Sequence, residues 1–176
     1  MKRAITLARD IKLVILDVDG VLTDGSLFFD NSGQEYKAFN SKDGHGIRML
    51  QEGDIEIALI TGRKSELVLH RAKNLKISPS LIYQGYRDKR PAFNDLLEKT
   101  GLSAKNIAYV GDDVIDLPIM SKVGLAIAVH DAHHFVIKHA DWVTQAAGGR
   151  GAVREVSEMI LDAQGKLDMM LDSYLK

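Results

Sequence analysis

Short, wholly apolar runs recur along this chain and are separated by segments with helical spacing. That alternation constrains the fold more than any other feature. Leu13-Val14-Ile15-Leu16 is the first run, and its length and β-branching read as a buried strand. Ile55 to Ile60, Leu81-Ile82-Tyr83, Ile107 to Val110 and Leu125 to Val129 follow, with Trp142-Val143 as a sixth. Between them Asp43 to Gln51, Lys64 to Asn74, Asp88 to Thr100, Val114 to Lys122 and Ala152 to Ala163 read as helices. Pro91 near the start of the third and Gly101 after its end have the usual helix asymmetry. Strands that alternate with helices predict an α/β fold: a Rossmann-like parallel sheet with helices on both faces. With 176 residues and no visible linker, one domain spanning residues 1–176 is expected.

Two segments depart from the rhythm. Residues of about 26–40 read SLFFDNSGQEYKAFN, two aromatic runs around Asp30-Asn31-Ser32-Gly33, which is a hairpin signal. A lone hairpin is marginal in water, so Leu27, Phe28, Phe29, Tyr36 and Phe39 call for a partner surface. At about 165–176 a tail carries Leu167, Met170, Leu171 and Tyr174 at helical spacing.

Composition narrows the function classes. Lys plus Arg is 23 and Asp plus Glu is 24, a net charge of -1, so no overall basic excess favours nucleic acid as a partner. No apolar run reaches the roughly 18 residues that cross a bilayer, so no membrane partner is expected. MKRAITLARDIK lacks an apolar centre, so it is not read as a secretory signal, and the expected location is the cytoplasm, which the lack of cysteine fits. The absence of cysteine excludes disulfides, thiolate metal sites and cysteine nucleophiles.

Chemistry concentrates just after the apolar runs. Asp17 and Asp19 follow the first, and in extended chain i and i+2 project to one face. Alone, a turn rich in Asp and Gly is common without any chemistry. Asp112, Asp113 and Asp116 follow the fourth, and three acids so close repel unless a cation offsets them. Acids also suit a helix N-terminus, the plainer reading of that cluster. Taken together, the two clusters form an oxygen-only site that favours Mg²⁺ over zinc. Thr61 ends the second run, placed either to hold a phosphate or to cap a helix. Lys89, flanked by Arg87 and Arg90, follows the third; a solvated basic turn is its ordinary alternative.

In this order Asp17-x-Asp19, Thr61, Lys89 and Asp112-Asp113-x-x-Asp116 resemble the four motifs of the haloacid dehalogenase (HAD) phosphohydrolase superfamily, over nearly the whole chain. The resemblance implies a Mg²⁺-dependent phosphatase. In it Asp17 is the nucleophile that becomes an aspartyl-phosphate, and Asp19 is the acid–base group. Asp17, the Asp19 carbonyl and Asp112 are the metal ligands, and Asp113 and Asp116 support them. Thr61 binds a phosphoryl oxygen and Lys89 offsets negative charge. The interval from Asp17 to Thr61 is filled by the hairpin and one helix, and that from Thr61 to Lys89 by one helix and one strand. Neither leaves room for an inserted cap domain.

The stretches DVDGVLTDG, SKDGHGI, DDVIDLP and GGRGAVRE resemble a capless branch that dephosphorylates an eight-carbon sugar acid for lipopolysaccharide. By that resemblance the substrate is a small sugar acid phosphate. Asn40, Ser41, Lys42, Asp43, Gly44, Arg48, Arg63 and Arg71 form its binding region. The chain assembles as a homotetramer through its hairpins, and its tail reaches a neighbouring subunit's site or, on the plainer reading, extends the last helix against its own subunit or frays. A nine-carbon keto sugar acid 9-phosphate as substrate, or a non-catalytic oligomerisation module, are the alternatives. His130, His133, His134 and His139 lie close together in sequence. They read as a transition-metal site or, more simply, as the surface of a helix capped by Asp131. Gly148 to Gly151 reads as a turn before the last long helix.

Overall fold

All six apolar runs become strands of one parallel sheet in the computed structural model, which describes residues 2–175; Met1 and Lys176, the last residue of the tail, lie outside it. In chain order the elements begin with α1 (Lys2–Ala8), β1 (Leu13–Leu16), the hairpin strands β2 (Phe28–Phe29) and β3 (Glu35–Tyr36), α2 (Ser41–Glu52), β4 (Glu56–Thr61) and α3 (Glu66–Asn74). They continue with β5 (Ile82–Gln84), α4 (Arg90–Thr100), β6 (Ile107–Gly111), α5 (Leu117–Met120), β7 (Leu125–Ala128), α6 (His134–His139), β8 (Trp142–Val143), α7 (Ala152–Ala163) and α8 (Leu167–Ser173).

The sheet order is β5-β4-β1-β6-β7-β8. Successive connections run one way from β1 to β4 and β5, and the opposite way from β6 to β7 and β8. Because crossovers are right-handed, α2 and α5 lie on opposite faces. On one face α2 and α1 both pack on α7; on the other α4 meets α5. Strands covered on both sides must be apolar throughout, and β1, β6 and β7 are buried at every position. Register then sets the site: Leu16 is level with Leu59 of β4 and Val110 of β6. The residues that follow these three emerge together at the carboxyl edge, beside the point where strand order reverses.

Several expectations change in detail. The N-terminal segment is helical, burying Ala4 and Ala8 toward α7, a stripe of small residues that carries little hydrophobic signal. The helix expected over Val114 to Lys122 is split. Residues Val114–Asp116 form a 3₁₀ turn with a capping box between Asp113 and Asp116, and α5 starts only at Leu117. The Asp131 cap is corrected: His133 caps α6, its Nδ1 accepting from Phe135 N at 3.2 Å, while Asp131 accepts from Gly148 N at 2.9 Å. The tail is helix α8, anchored on its own chain by Leu167 and Met170 and by Lys166 Nζ donating to Gly53 O at 2.6 Å. Leu171 and Tyr174 remain exposed, and Tyr174 Oη lies 3.1 Å from His45 Nε2.

The hairpin pairs Phe28 with Tyr36 and Phe29 with Glu35. Its turn is tied by the Asp30 carboxylate, which accepts from Ser32 N and Gln34 N at 2.9 Å each. Leu27, Phe28, Phe29 and Tyr36 are exposed, whereas Phe39 turns inward against the core.

Candidate active site

Asp17 continues the line of β1, its amide donating to Val110 O at 3.1 Å, and its side chain is buried. Lys89, just ahead of α4 and also buried, points its ammonium into the same space. Its Nζ lies 2.9 Å from Asp17 Oδ1 and 2.7 Å from Asp116 Oδ1, and donates to Tyr109 Oη at 3.0 Å. Burial alone would lower its pKa, but the two carboxylates outweigh it and hold the group protonated. Burial pushes the Asp17 carboxyl up to about 7 against the pull of Lys89, and Asp116 adds to the rise. Asp112 is pushed up to about 8, by burial first and then by its acidic neighbours.

Each acid of the second cluster has a separate position. Asp17, Asp112 and Asp116 bring one oxygen apiece within 4.8 Å of one another. Asp116 is wholly buried and fully engaged: Oδ1 takes Lys89 Nζ and Tyr109 Oη, and Oδ2 accepts from the Asp112 and Asp113 amides at 3.0 and 3.1 Å. It therefore has no lone pair to offer a cation. Asp113 faces solvent and caps the 3₁₀ turn, accepting from Val114 N at 2.7 Å. Asp17 Oδ1 and Asp112 Oδ1 are buried without a hydrogen-bond partner, and the former forms an ion pair with Lys89 Nζ.

Two orphaned carboxylate oxygens facing one space, each on an acid whose ionisation the protein disfavours, fit a hard divalent cation. The residues present thus suit Mg²⁺, with Asp17 and Asp112 as its carboxylate ligands. Gly20 is required here. A Cβ on it would stand 2.1 Å from Asp112 Oδ2, and its φ is +95°. Gly148 packs on the same loop, where a Cβ would meet Gly20 O at 1.8 Å.

Thr61 ends β4, buried, its Oγ1 accepting from Arg63 N at 3.4 Å. Among the described residues its own hydroxyl proton is uncommitted. The expected binding region divides in two. Arg48 and Arg71 line a cleft of about 450 Å³ with Ser41, Gly44, His45 and Asn74. A second cleft, of about 310 Å³, takes in Asn40, Ser41 and Lys42 with Arg150. Arg71 donates to Asn40 O at 3.2 Å and stands over the Phe39 ring. Asn40 caps α2, its Oδ1 accepting from Lys42 N at 2.8 Å. Arg63 is held by Glu35 at 2.8 Å. Asp43 does not face open space: its buried carboxylate caps α7, accepting from Gly151 N at 3.2 Å and Arg154 N at 2.9 Å. A larger cleft of about 560 Å³ lies at the opposite edge of the sheet, beside Lys12, Glu56 and Asn106, far from these acids.

Sequence reasoning missed Lys37, Glu35 and Tyr109. Lys37 pairs with Asp19, and its Nζ lies 3.4 Å from Glu35 Oε1. The signal was present: Glu35 and Lys37 are i and i+2 and share a face opposite the aromatic Tyr36.

Residues 81–155 match the family described as haloacid dehalogenase-like hydrolase. The 3-deoxy-D-manno-octulosonate 8-phosphate phosphatase of Escherichia coli (strain K12) is 57% identical over 161 residues, covering 92% of this chain and 85% of the relative. The crystal structure of the Yersinia pestis phosphatase of the same name is 48% identical with a TM-score of 0.92, covering 94% of this chain and 89% of that one. That from Moraxella catarrhalis, in complex with a magnesium ion, a phosphate ion and KDO, is 40% identical with a TM-score of 0.95, covering 99% of each.

Proposed function

The chain belongs to the haloacid dehalogenase-like hydrolases, and from that premise we propose that it is a magnesium-dependent phosphatase of 3-deoxy-D-manno-octulosonate 8-phosphate, serving lipopolysaccharide precursor synthesis. The observation that carries the site reading is the pair of unpartnered, buried oxygens on Asp17 and Asp112 beside the ammonium of Lys89.

Asp17 is the nucleophile. Its carboxylate attacks phosphorus, the bond from phosphorus to the sugar oxygen breaks, and an aspartyl-phosphate forms. Asp19 gives its proton to the departing alkoxide, then takes one from the water that cleaves the aspartyl-phosphate. Lys89 offsets the charge of nucleophile and phosphate, held in place by Asp116 and Tyr109. Thr61 donates its hydroxyl to a phosphoryl oxygen. Asp17, the Asp19 main-chain carbonyl and Asp112 would hold magnesium, which when bound would neutralise charge on the phosphoryl oxygens. Asp113 shapes the turn that presents Asp112. Arg48 and Arg71, in one cleft, supply forks that suit a sugar carboxylate, and Asn40, Ser41 and Lys42 border the second cleft, while Arg63 is engaged by Glu35 and Asp43 by the start of α7.

The exposed aromatic face of the hairpin supports a homotetramer in which hairpins meet. No helix among the described residues is long and apolar enough to cross a membrane. A cysteine-free chain acting on a sugar phosphate suits the cytoplasm.

Phosphate release, measured with eight-carbon and nine-carbon keto sugar acid phosphates with and without Mg²⁺, tests the reading. The eight-carbon substrate should win, chelator should abolish turnover, and Asp17→Asn should lose it by orders of magnitude. Preference for the nine-carbon substrate would move the specificity, and an Asp17→Asn variant near wild-type rate would overturn the nucleophile.

A further inference from the structure

We propose that Lys37 is the positioning residue for the acid–base carboxylate, so that the hairpin is a working part of the catalytic centre. This rests on the phosphatase reading above.

The Asp19 carboxylate, in the loop after β1, pairs with the hairpin, while the Lys89 ammonium is divided between Asp17 and Asp116. Lys37 is the one cation paired with the Asp19 carboxylate among the described residues. Its side chain is 1% exposed, unusual for a lysine on a two-stranded hairpin whose Leu27, Phe28, Phe29 and Tyr36 are exposed. An ammonium is desolvated in this way only where acceptors surround it, and Lys37 has two, Asp19 and Glu35. Glu35 is in turn gripped by Arg63 at 2.8 Å, next to the Thr61 loop. The result is a charge-alternating chain, Asp19–Lys37–Glu35–Arg63, that ties the acid–base residue, the hairpin and the end of β4 into one unit.

The chain of charges serves both half-reactions. When the sugar oxygen leaves phosphorus, the proton passes from the Asp19 carboxyl to that oxygen, and Lys37 keeps an anionic partner in Glu35 whichever form Asp19 holds. When water attacks the aspartyl-phosphate, its proton returns to Asp19 at the same place. Lys37 itself neither gains nor loses a proton. Its contribution is geometric, confining a short carboxylate that is one-fifth exposed even in this pair.

The test uses a series of aryl phosphates of graded leaving-group basicity, which share shape and lack a sugar carboxylate, assayed beside the sugar phosphate on the full-length chain with Mg²⁺. A poor leaving group needs its proton and a good one does not. Lys37→Met should therefore lose about 10- to 100-fold in kcat on the poorest leaving groups and less than about threefold on p-nitrophenyl phosphate. KM should hold nearly constant across the series. Because the chain has no cysteine, Lys37→Cys can be alkylated with 2-bromoethylamine at that position alone, restoring an ammonium of near-native length. Recovery of the lost rate confirms the role. If Lys37→Met does not fold, Lys37→Arg, which keeps the charge but displaces it, should show the same slope in smaller measure. A loss independent of leaving group, or a rise in KM confined to the sugar phosphate, overturns the assignment, the latter making Lys37 a reader of the substrate carboxylate. A wild-type chain inactive on every phosphate would overturn the phosphatase reading and this inference with it.

Discussion

Single residues in this site are assigned work that their type alone does not reveal. Asp116 and Asp112 are both aspartates at the end of β6, yet one is saturated by four donors and the other has a bare buried oxygen. Removing the saturated one leaves Lys89 buried with one counter-ion fewer, and breaking such a pair costs about 3–5 kcal/mol. Asp116→Ala should therefore lower the thermal midpoint sharply in metal-free protein, whereas Asp112→Ala should weaken Mg²⁺ binding with little loss of fold. Equal midpoints for the two variants would refute the division of labour. The same acids set a pH dependence. Asp17 and Asp112 titrate in the folded state near about 7 and about 8, above the ordinary carboxylate value of 3.8. The folded, metal-free chain thus binds more protons than the unfolded one between those values. Its stability is fullest at low pH within that window and declines as pH rises through 7 and 8. Asp24, Asp88 and Asp95, whose pKa values are lowered, act only below that window. Calorimetry should find the metal-free midpoint falling from about pH 5 to about pH 9, with saturating Mg²⁺ removing most of the fall and releasing protons as it binds near pH 7. A midpoint that rises across this range would contradict the raised pKa values.

At the scale of elements, loops are locked to helices by polar caps that cross the chain. Asp43, in the first turn of α2, closes the N-terminus of α7, and burial raises its carboxyl above the ordinary value despite the amides it accepts. This joins the loop ahead of α2 to the glycine-rich loop ahead of α7, and both border the cleft that contains Lys42 and Arg150. Loss of a capping acid costs about 0.5–2 kcal/mol. Asp43→Ala should accordingly reduce stability by about that amount in urea unfolding, with Asp43→Asn recovering part of it. If Asp43→Ala instead raised KM at unchanged stability, the residue would belong to the substrate after all. The helix periods of α4 and α7 were legible because each carries a full apolar stripe and α4 a clear stop. The split at Val114–Asp116 was not, because a 3₁₀ turn of three residues carries no period and its cap was read only as part of an acidic cluster.

For the whole molecule, the hairpin is the part whose packing one chain leaves unfinished. Phe28 is 52% and Phe29 57% exposed, whereas β1, β6 and β7 of the sheet are buried at every position. Phe28→Asp should leave the fold intact, because that side chain contributes little to the chain's own core, but should convert a tetramer into smaller species in sedimentation. An unchanged sedimentation coefficient would remove the hairpin from the interface. The sheet, its parallel sense and the four acid, hydroxyl and lysine positions at its carboxyl edge were written in the sequence. The reason is that burial on both faces forces continuous apolar runs, and the residues after such runs have nowhere to emerge but the edge. Only the tertiary structure decided which acid would be saturated and which left bare, that Asp43 caps a helix distant in sequence, and that Lys37 reaches Asp19. Those outcomes depend on which groups meet after the chain has folded back, and a lysine or aspartate has the same letter whether it faces water, a helix end or another charge.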